Sequence, residues 1–253
     1  MKKKINLIKG SIYFFFILIL FIFFVGYKCK YLKPSYCQIN FFENILYENG
    51  FVENLQILFL IISIYFLIIS FKKLNLKKII KIFLTIKILA LIYYLGEEIS
   101  WGQHFFKWVS PEFFLKNNNQ GETNLHNISN LLDQLPRTLV MLWCGLIPVI
   151  FYFIKKNFSL NYETKLIFIP TDQLLKISIF FLLIFLPDFF VDKLSLHPGH
   201  VINGKDIPES IFWDIISLNF LRLSEVHELI FCFYFLMYSI AFKQAINNQY
   251  KNQ

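Results

Sequence analysis

Charge is scarce in this sequence: only 17% of its 253 residues are charged, and arginine occurs just twice. A soluble domain of this size would be richer in charge and less apolar than the 56% found here. No internal repeat is visible, and the two halves lack the matching Gly/Pro-broken helices that mark many transporters. Apart from Lys87, the centres of the apolar stretches are nearly free of ionisable groups. A small transporter is therefore the least favoured function.

Long hydrophobic runs dominate instead. A spanning helix needs about 17–25 mostly apolar residues. Six segments qualify: 11–27, 55–71, 79–95, 138–154, 174–191 and 223–242. They predict an all-α polytopic transmembrane helix bundle, forming a single integral membrane domain over residues 1–253. The N-terminal run lacks a small-residue cleavage pattern, so we expect an uncleaved first helix.

Lysine and arginine are unevenly divided between the predicted loops. One side carries 16 of the 25 basic residues and two of the 17 acidic ones. The positive-inside bias makes that side cytoplasmic, with both termini inside. The external loops are then 28–54, 96–137 and 192–222. We expect a multi-pass protein of the bacterial inner (cytoplasmic) membrane, and the net charge of +8 gives no reason to invoke nucleic acid.

The cysteines divide into two pairs. Cys29 and Cys37 fall at the first external loop and can form a disulfide if that side is oxidising. Cys144 and Cys232 lie in predicted spans, where we expect apolar fillers.

All histidines fall on the predicted external side, next to 15 of the 17 acids. This arrangement is typical of a metal or acid/base site at one membrane face. The histidines are His104, His126, His197, His200 and His227. The turn His197-Pro-Gly-His200 is by itself a weak metal signal.

The segment GEEISWGQHFF closes the third span. If the helix continues through it, Glu97, Ser100 and His104 share one face. In that case Glu97 or Glu98 serves as a base or a metal ligand, and His104 as a metal ligand. The alternative is an ordinary helix end, with Trp101 in the aromatic belt and the charges hydrated.

Two further segments carry histidine with carboxylates. QGETNLHNISNLLDQLP predicts a short helix capped near Thr123 or Asn124, with His126 and Asp133 on one face. A hydrated amphipathic surface helix explains it equally well. LSEVHELIF opens the sixth span with His227 and Glu228, which are costly to bury without partners. For Lys87, we expect its long stem to carry the ammonium toward the cytoplasmic headgroups.

GEEISWGQ followed by QGETNLHN, after the acidic stretch ENGFVE, resembles an uncharacterised family of bacterial polytopic membrane proteins. These blocks are long, and the resemblance covers most of the chain. It implies a membrane fold and no particular activity.

A weaker resemblance is to the alkaline ceramidase-like membrane hydrolases. It rests on ENILYENGFVEN, on the spacing of Ser100 and His104, and on the stretch beginning at Asp133. It implies zinc held by histidines, with the serine and aspartate organising the attacking water.

These observations leave an enzyme and an accessory protein as the main candidates. The enzyme is a metal-dependent hydrolase or transferase acting on a lipid or lipid-linked substrate. Under the enzyme hypothesis, the predicted zinc ligands are His104, His126 and His227. The predicted catalytic residues are Glu97, Glu98, Ser100, Asp133 and Glu228. The alternative is a non-enzymatic scaffold whose polar clusters brace helix ends, with glutamates paired to Arg137 and Arg222.

Overall fold

A computed structural model describes residues 2–32, 45, 50–72, 76–118, 121–125, 127–157, 162–169, 171–193, 201–202, 205–206 and 223–251. Within these ranges the chain is mostly helical, with one antiparallel pair of two-residue strands, β1 (Val201–Ile202) and β2 (Lys205–Asp206). The all-α prediction is confirmed.

The long helices coincide with the hydrophobic runs because apolar residues in a bilayer must satisfy their backbone groups within the helix. In chain order the helices are α1 (Lys2–Leu32), α2 (Phe51–Phe71), α3 (Lys78–Glu98), α4 (Gln103–Phe106), α5 (Glu112–Asn117), α6 (Asn130–Met141), α7 (Ile147–Asn157), α8 (Tyr162–Phe168), α9 (Leu174–Lys193) and α10 (Leu223–Lys251). A π-helical segment, Leu142–Leu146, joins α6 to α7.

Five helical segments of the described chain are long and apolar enough to cross a membrane. They are Ile8–Cys29, Phe51–Phe71, Lys78–Glu98, Gln134–Ile154 and Leu223–Asn248. A shorter apolar stretch, Leu174–Pro187, lies in α9 where the fifth span is predicted. The chain is therefore a multi-pass membrane protein, while six spans and the orientation stay predictions.

The helices are divided between two compact units. The first comprises Met1–Glu53 and Ile179–Ile230. Here Phe16 of α1 stacks on Phe180 of α9, with ring centroids 4.3 Å apart. Cys29 is in a disulfide and lies within α1, which runs beyond the predicted end of the first span. Cys37 lies outside the described residues.

The second unit comprises Asn54–Ser178 and Phe231–Gln253. Residues 231–239 of α10 are all buried. The Tyr238 hydroxyl donates to the Ile167 carbonyl of α8 at 2.7 Å. The free thiols Cys144 and Cys232 are buried, as expected for apolar fillers.

One ion pair ties the start of α3 to α8. Lys77 Nζ lies 2.5 Å from Glu163 Oε1. The hydrogen bond from Lys77 holds the pKa of the Glu163 carboxyl below its usual range. Two segments that the charge pattern assigns to the same side of the membrane are thus in contact.

Candidate functional site

The helical continuation predicted for GEEISWGQHFF is wrong. Helix α3 ends at Glu98, and the next residues reverse the chain with positive φ at Ser100 (44°), Trp101 (55°) and Gly102 (101°). Left-handed conformations cost non-glycine residues about 1–2 kcal/mol each. Such a turn persists only where tertiary contacts stabilise it.

Trp101 supplies one of those contacts by folding back over the last turn of α3. A Cβ placed on Gly96 would lie 2.9 Å from the indole ring, so only glycine leaves room for it. The indole Nε1 donates to Glu97 Oε1 at 2.8 Å. The aromatic-belt alternative is compatible with this geometry, since 46% of Trp101 remains exposed.

Glu97 connects the end of α3 to the segment QGETNLHN. Its side chain is 4% exposed. Oε1 accepts from Trp101, and Oε2 accepts from the Leu125 backbone N–H at 2.7 Å. Both carboxylate oxygens therefore accept hydrogen bonds, one from a residue four positions later and one from a residue 28 positions later in the chain.

Ser100, Glu122 and Asn124 form a closed hydrogen-bonded triangle. The Ser100 hydroxyl donates to Glu122 Oε2 at 2.6 Å. Asn124 Nδ2 donates to the same oxygen at 2.7 Å and lies 3.2 Å from Ser100 Oγ. Asn118 Nδ2 in turn donates to Asn124 Oδ1 at 2.8 Å. Ser100 is fully buried, so a substrate has no access to its hydroxyl.

Gln103 makes the third connection. Its Oε1 accepts from the Thr123 backbone N–H at 2.8 Å, and Thr123 Oγ1 lies 2.8 Å from both that oxygen and the Ser100 carbonyl. Its Nε2 donates to Ser110 Oγ at 2.9 Å. Ser110 then donates to the Gly121 carbonyl. We call this set, formed by residues 96–103, Ser110, Asn118 and residues 121–125, the interlock.

An exposed apolar surface surrounds the turn. Phe106 and Trp108 stack in parallel, with centroids 5.8 Å apart and planes within 6°. Between 41% and 83% of each side chain of the set is exposed. We call it the aromatic surface, and its members are Trp101, Phe105, Phe106, Trp108, Val109 and Phe113.

The helix predicted from Thr123 or Asn124 begins later. Residues 121–125 are non-helical because their polar groups form hydrogen bonds with the segment GEEISWGQ. Helix α6 begins at Asn130, where Ser129 is the N-cap and its Oγ accepts from the Leu132 N–H. The helix therefore carries residue 133 but not residues 127–129, and residue 126 lies outside the described residues.

The structure describes only part of the predicted site. Glu97 and Ser100 meet in the interlock, and Glu98 is half-buried at the end of α3. His227 and Glu228 belong to the first unit, where His227 packs against the rings of Phe181 and Phe185.

The other predicted residues lie where no side-chain geometry is described. His104 and Asp133 fall on described helices without described side chains, and His126, His197, His200 and Arg222 lie outside the described residues. Arg137 lies on α6, half-buried and in contact with other groups. Among the described residues, no three His, Cys, Asp or Glu side chains are grouped to hold a metal. The joint metal site stays a prediction.

Sequence reasoning missed Glu122, Asn124 and Gln103 as site residues. Each lies inside one of the two quoted blocks, and each bonds to the other block. The two polar-rich segments GEEISWGQ and QGETNLHN, about 20 residues apart, could have indicated this contact. Buried polar groups need partners, and each segment can supply them to the other.

No family model, curated protein or solved structure matches this chain.

Proposed function

We propose that this membrane protein has an accessory, non-enzymatic role, in which the interlock holds the aromatic surface at the membrane–water boundary. The surface then meets lipid on the external side of a bacterial cytoplasmic membrane. The positive-inside bias supports that side, because loop 96–137 belongs to the acid-rich group of loops.

The observation that carries this proposal is that the polar side chains of the interlock are hydrogen-bonded to other groups of the protein. Glu97 uses both oxygens, Ser100 is buried against Glu122, and Gln103 bonds through both ends of its amide. A general base or nucleophile needs a free position facing substrate. Saturated hydrogen bonding is instead what a rigid brace requires, since half-satisfied buried networks destabilise.

The composition of the exposed surface supports a lipid contact. Tryptophan and other aromatic rings favour the headgroup level, where an apolar body and a polar edge are both accommodated. Lys107 is exposed within the same segment and can reach lipid phosphates.

Fluorescence quenching by brominated lipids tests this proposal. The full chain is reconstituted into nanodiscs containing phosphatidylcholine brominated either near the headgroup or near the bilayer centre. We expect stronger quenching by the shallow bromines, and Trp108→Phe should reduce that component. Equal quenching in Trp108→Phe and wild type would show that the aromatic surface does not touch lipid.

A zinc-dependent hydrolase or transferase acting on a lipid or lipid-linked substrate is the competing proposal. One observation favours it: Gln103, which precedes His104, is anchored to Thr123, close in sequence to His126. Metal analysis of purified protein separates the two. Stoichiometric zinc that is lost in His104→Ala and His227→Ala, in protein that still folds, would replace the accessory role with the enzyme.

A further inference from the structure

Lys87 lies near the middle of α3, inside a segment long enough to span the bilayer. The prediction that it reaches the headgroups is wrong, because the residue is only 7% exposed. Its ammonium is enclosed by aromatic rings of the same unit. Nζ lies 3.4 Å from the ring centroid of Tyr238, 4.5 Å from that of Trp143, 5.3 Å from that of Phe235 and 5.6 Å from that of Phe83.

These rings attract a cation but cannot satisfy its hydrogen bonds. An ammonium carries three N–H donors, and Lys87 Nζ has no hydrogen-bond partner within the described chain. Ring faces stabilise positive charge through their quadrupoles. An intramembrane lysine is normally paired with an acidic or other acceptor group, so an acceptor is missing here.

Two neighbouring groups show the same deficit. The indole N–H of Trp143, one of the enclosing rings, is buried without an acceptor in the described structure, and so is the hydroxyl of Tyr234. Tyr234 stacks on Tyr238, with ring centroids 6.5 Å apart. An ammonium and an indole N–H can only donate. The surplus of donors indicates that the absent group is an acceptor.

The backbone at this point is also irregular. Trp143 and Cys144 belong to the π-helical segment Leu142–Leu146, a geometry that is frequent at functional sites. The Ser178 hydroxyl donates to the Cys144 carbonyl at 2.5 Å, which satisfies a backbone group of the wider turn. The Cys144 carbonyl is therefore paired, while Trp143 Nε1 of the same segment has no acceptor among the described residues.

We propose that Lys87, Trp143 and the rings around them form an intramembrane binding site for a singly charged anion. The ammonium supplies the charge, the indole N–H supplies a directed hydrogen bond, and the rings exclude water. Two sources share this chemistry: a small inorganic anion such as a halide, and the carboxylate of a fatty-acid-like amphiphile. The site is independent of the interlock and of the accessory role proposed above.

Quenching of Trp143 fluorescence tests the site in the purified full-length protein. Iodide is the inorganic probe, and 9,10-dibromostearate is the amphiphile probe. We expect a saturable component of quenching with one of them, and this component should disappear in Trp143→Phe. The probe that produces it identifies the source of the anion.

The lysine is tested by a matched pair of variants. Lys87→Met should weaken the saturable binding by about tenfold or more, since it removes a charged hydrogen-bond donor. Lys78→Met removes the same charge from the exposed start of α3 and should leave binding unchanged. Lys87→Arg keeps the charge and should retain binding.

Two results would overturn the proposal. One is the absence of any saturable, Trp143-dependent quenching with both probes in the wild-type protein. The other is unchanged affinity in Lys87→Met. If Lys87→Met does not fold, the comparison of wild type with Trp143→Phe still decides the matter.

Discussion

The interlock and the surroundings of Lys87 lie in the same compact unit and handle buried polar groups in opposite ways. In the interlock, Glu97, Ser100 and Gln103 all bond to other protein groups. Around Lys87, donors face aromatic rings and have no acceptor among the described residues. Since buried polar groups are normally satisfied, the first region is complete by itself and the second requires another molecule. Removing a polar group should therefore have opposite effects on stability in the two regions.

The largest effect is expected for Glu97→Ala. This change leaves the N–H groups of Leu125 and Trp101 without their acceptor. We expect a loss of roughly 2–4 kcal/mol. The Leu125 N–H is left unsatisfied at a cost of about 1–3 kcal/mol, and the indole of the half-exposed Trp101 adds less because water can reach it. Unfolding of the purified protein in mixed micelles measures it. Glu112→Gln is the control, because Glu112 pairs with Lys116 on the surface and should matter by less than about 1 kcal/mol. Similar losses for both variants would contradict a stabilising interlock.

Gly96→Ala tests whether the turn depends on the fit of Trp101. The new methyl group would meet the indole ring at 2.9 Å, so the ring must move. Overpacking of this kind costs about 1–3 kcal/mol. Gly10→Ala is the matched control, because a Cβ there meets nothing within 4 Å. Gly10 is helical, so alanine should be neutral or stabilise by up to about 1 kcal/mol. A stabilising Gly96→Ala would show that the indole does not lie over the helix.

For Lys87→Met, the sign of the change in stability distinguishes the two regions. Replacing a buried charge that lacks a partner by an apolar side chain of similar length should stabilise the protein, by about 1–2 kcal/mol in the absence of an anion. Unfolding in halide-free, lipid-depleted buffer is the measurement. Anion should reduce the advantage, because it binds the wild-type site more tightly than the site in Lys87→Met. Destabilisation by Lys87→Met in the absence of anion would mean that the ammonium is already satisfied.

The ion pair between the exposed Lys77 and the partly buried Glu163 is the reference with the smallest effect. Because the folded-state pKa of Glu163 is lowered, its contribution is present above the ordinary glutamate range and is lost as the pH falls through the lowered folded pKa. Glu163→Gln should flatten this part of the profile of stability against pH, and added salt should weaken the wild-type dependence. An unchanged profile in Glu163→Gln would assign the dependence to other carboxylates.

Much of the fold follows from the sequence. The run 55–71 predicts a span, and the helix found there is Phe51–Phe71. Such agreement is expected, because the length and composition of an apolar run are local properties. The four additional residues at its start include Glu53, a polar residue that hydropathy alone excludes.

The candidate site was harder to predict. Ser100 and Trp101 adopt positive φ because Trp101 packs on Gly96 and because Ser100 bonds to Glu122, 22 residues later. A helical projection of residues 97–104 assumes regular backbone, so it placed His104 on a face that does not exist. The residues that bond to this turn, such as Glu122 and Asn124, are plain in the sequence. No rule based on local sequence, however, predicts which loop segment pairs with which.

The sequence by itself determined that this protein is built from apolar helices that cross a membrane, because backbone groups without water must bond within each helix. The tertiary structure alone decided which polar groups are satisfied. The Glu97 carboxylate is satisfied because the Leu125 N–H donates to it. The Lys87 ammonium is enclosed because the rings of Trp143 and Tyr238, from distant parts of the chain, pack around it. Hydrogen bonds and ring contacts act over a few ångströms, so their partners are set by packing and not by sequence distance.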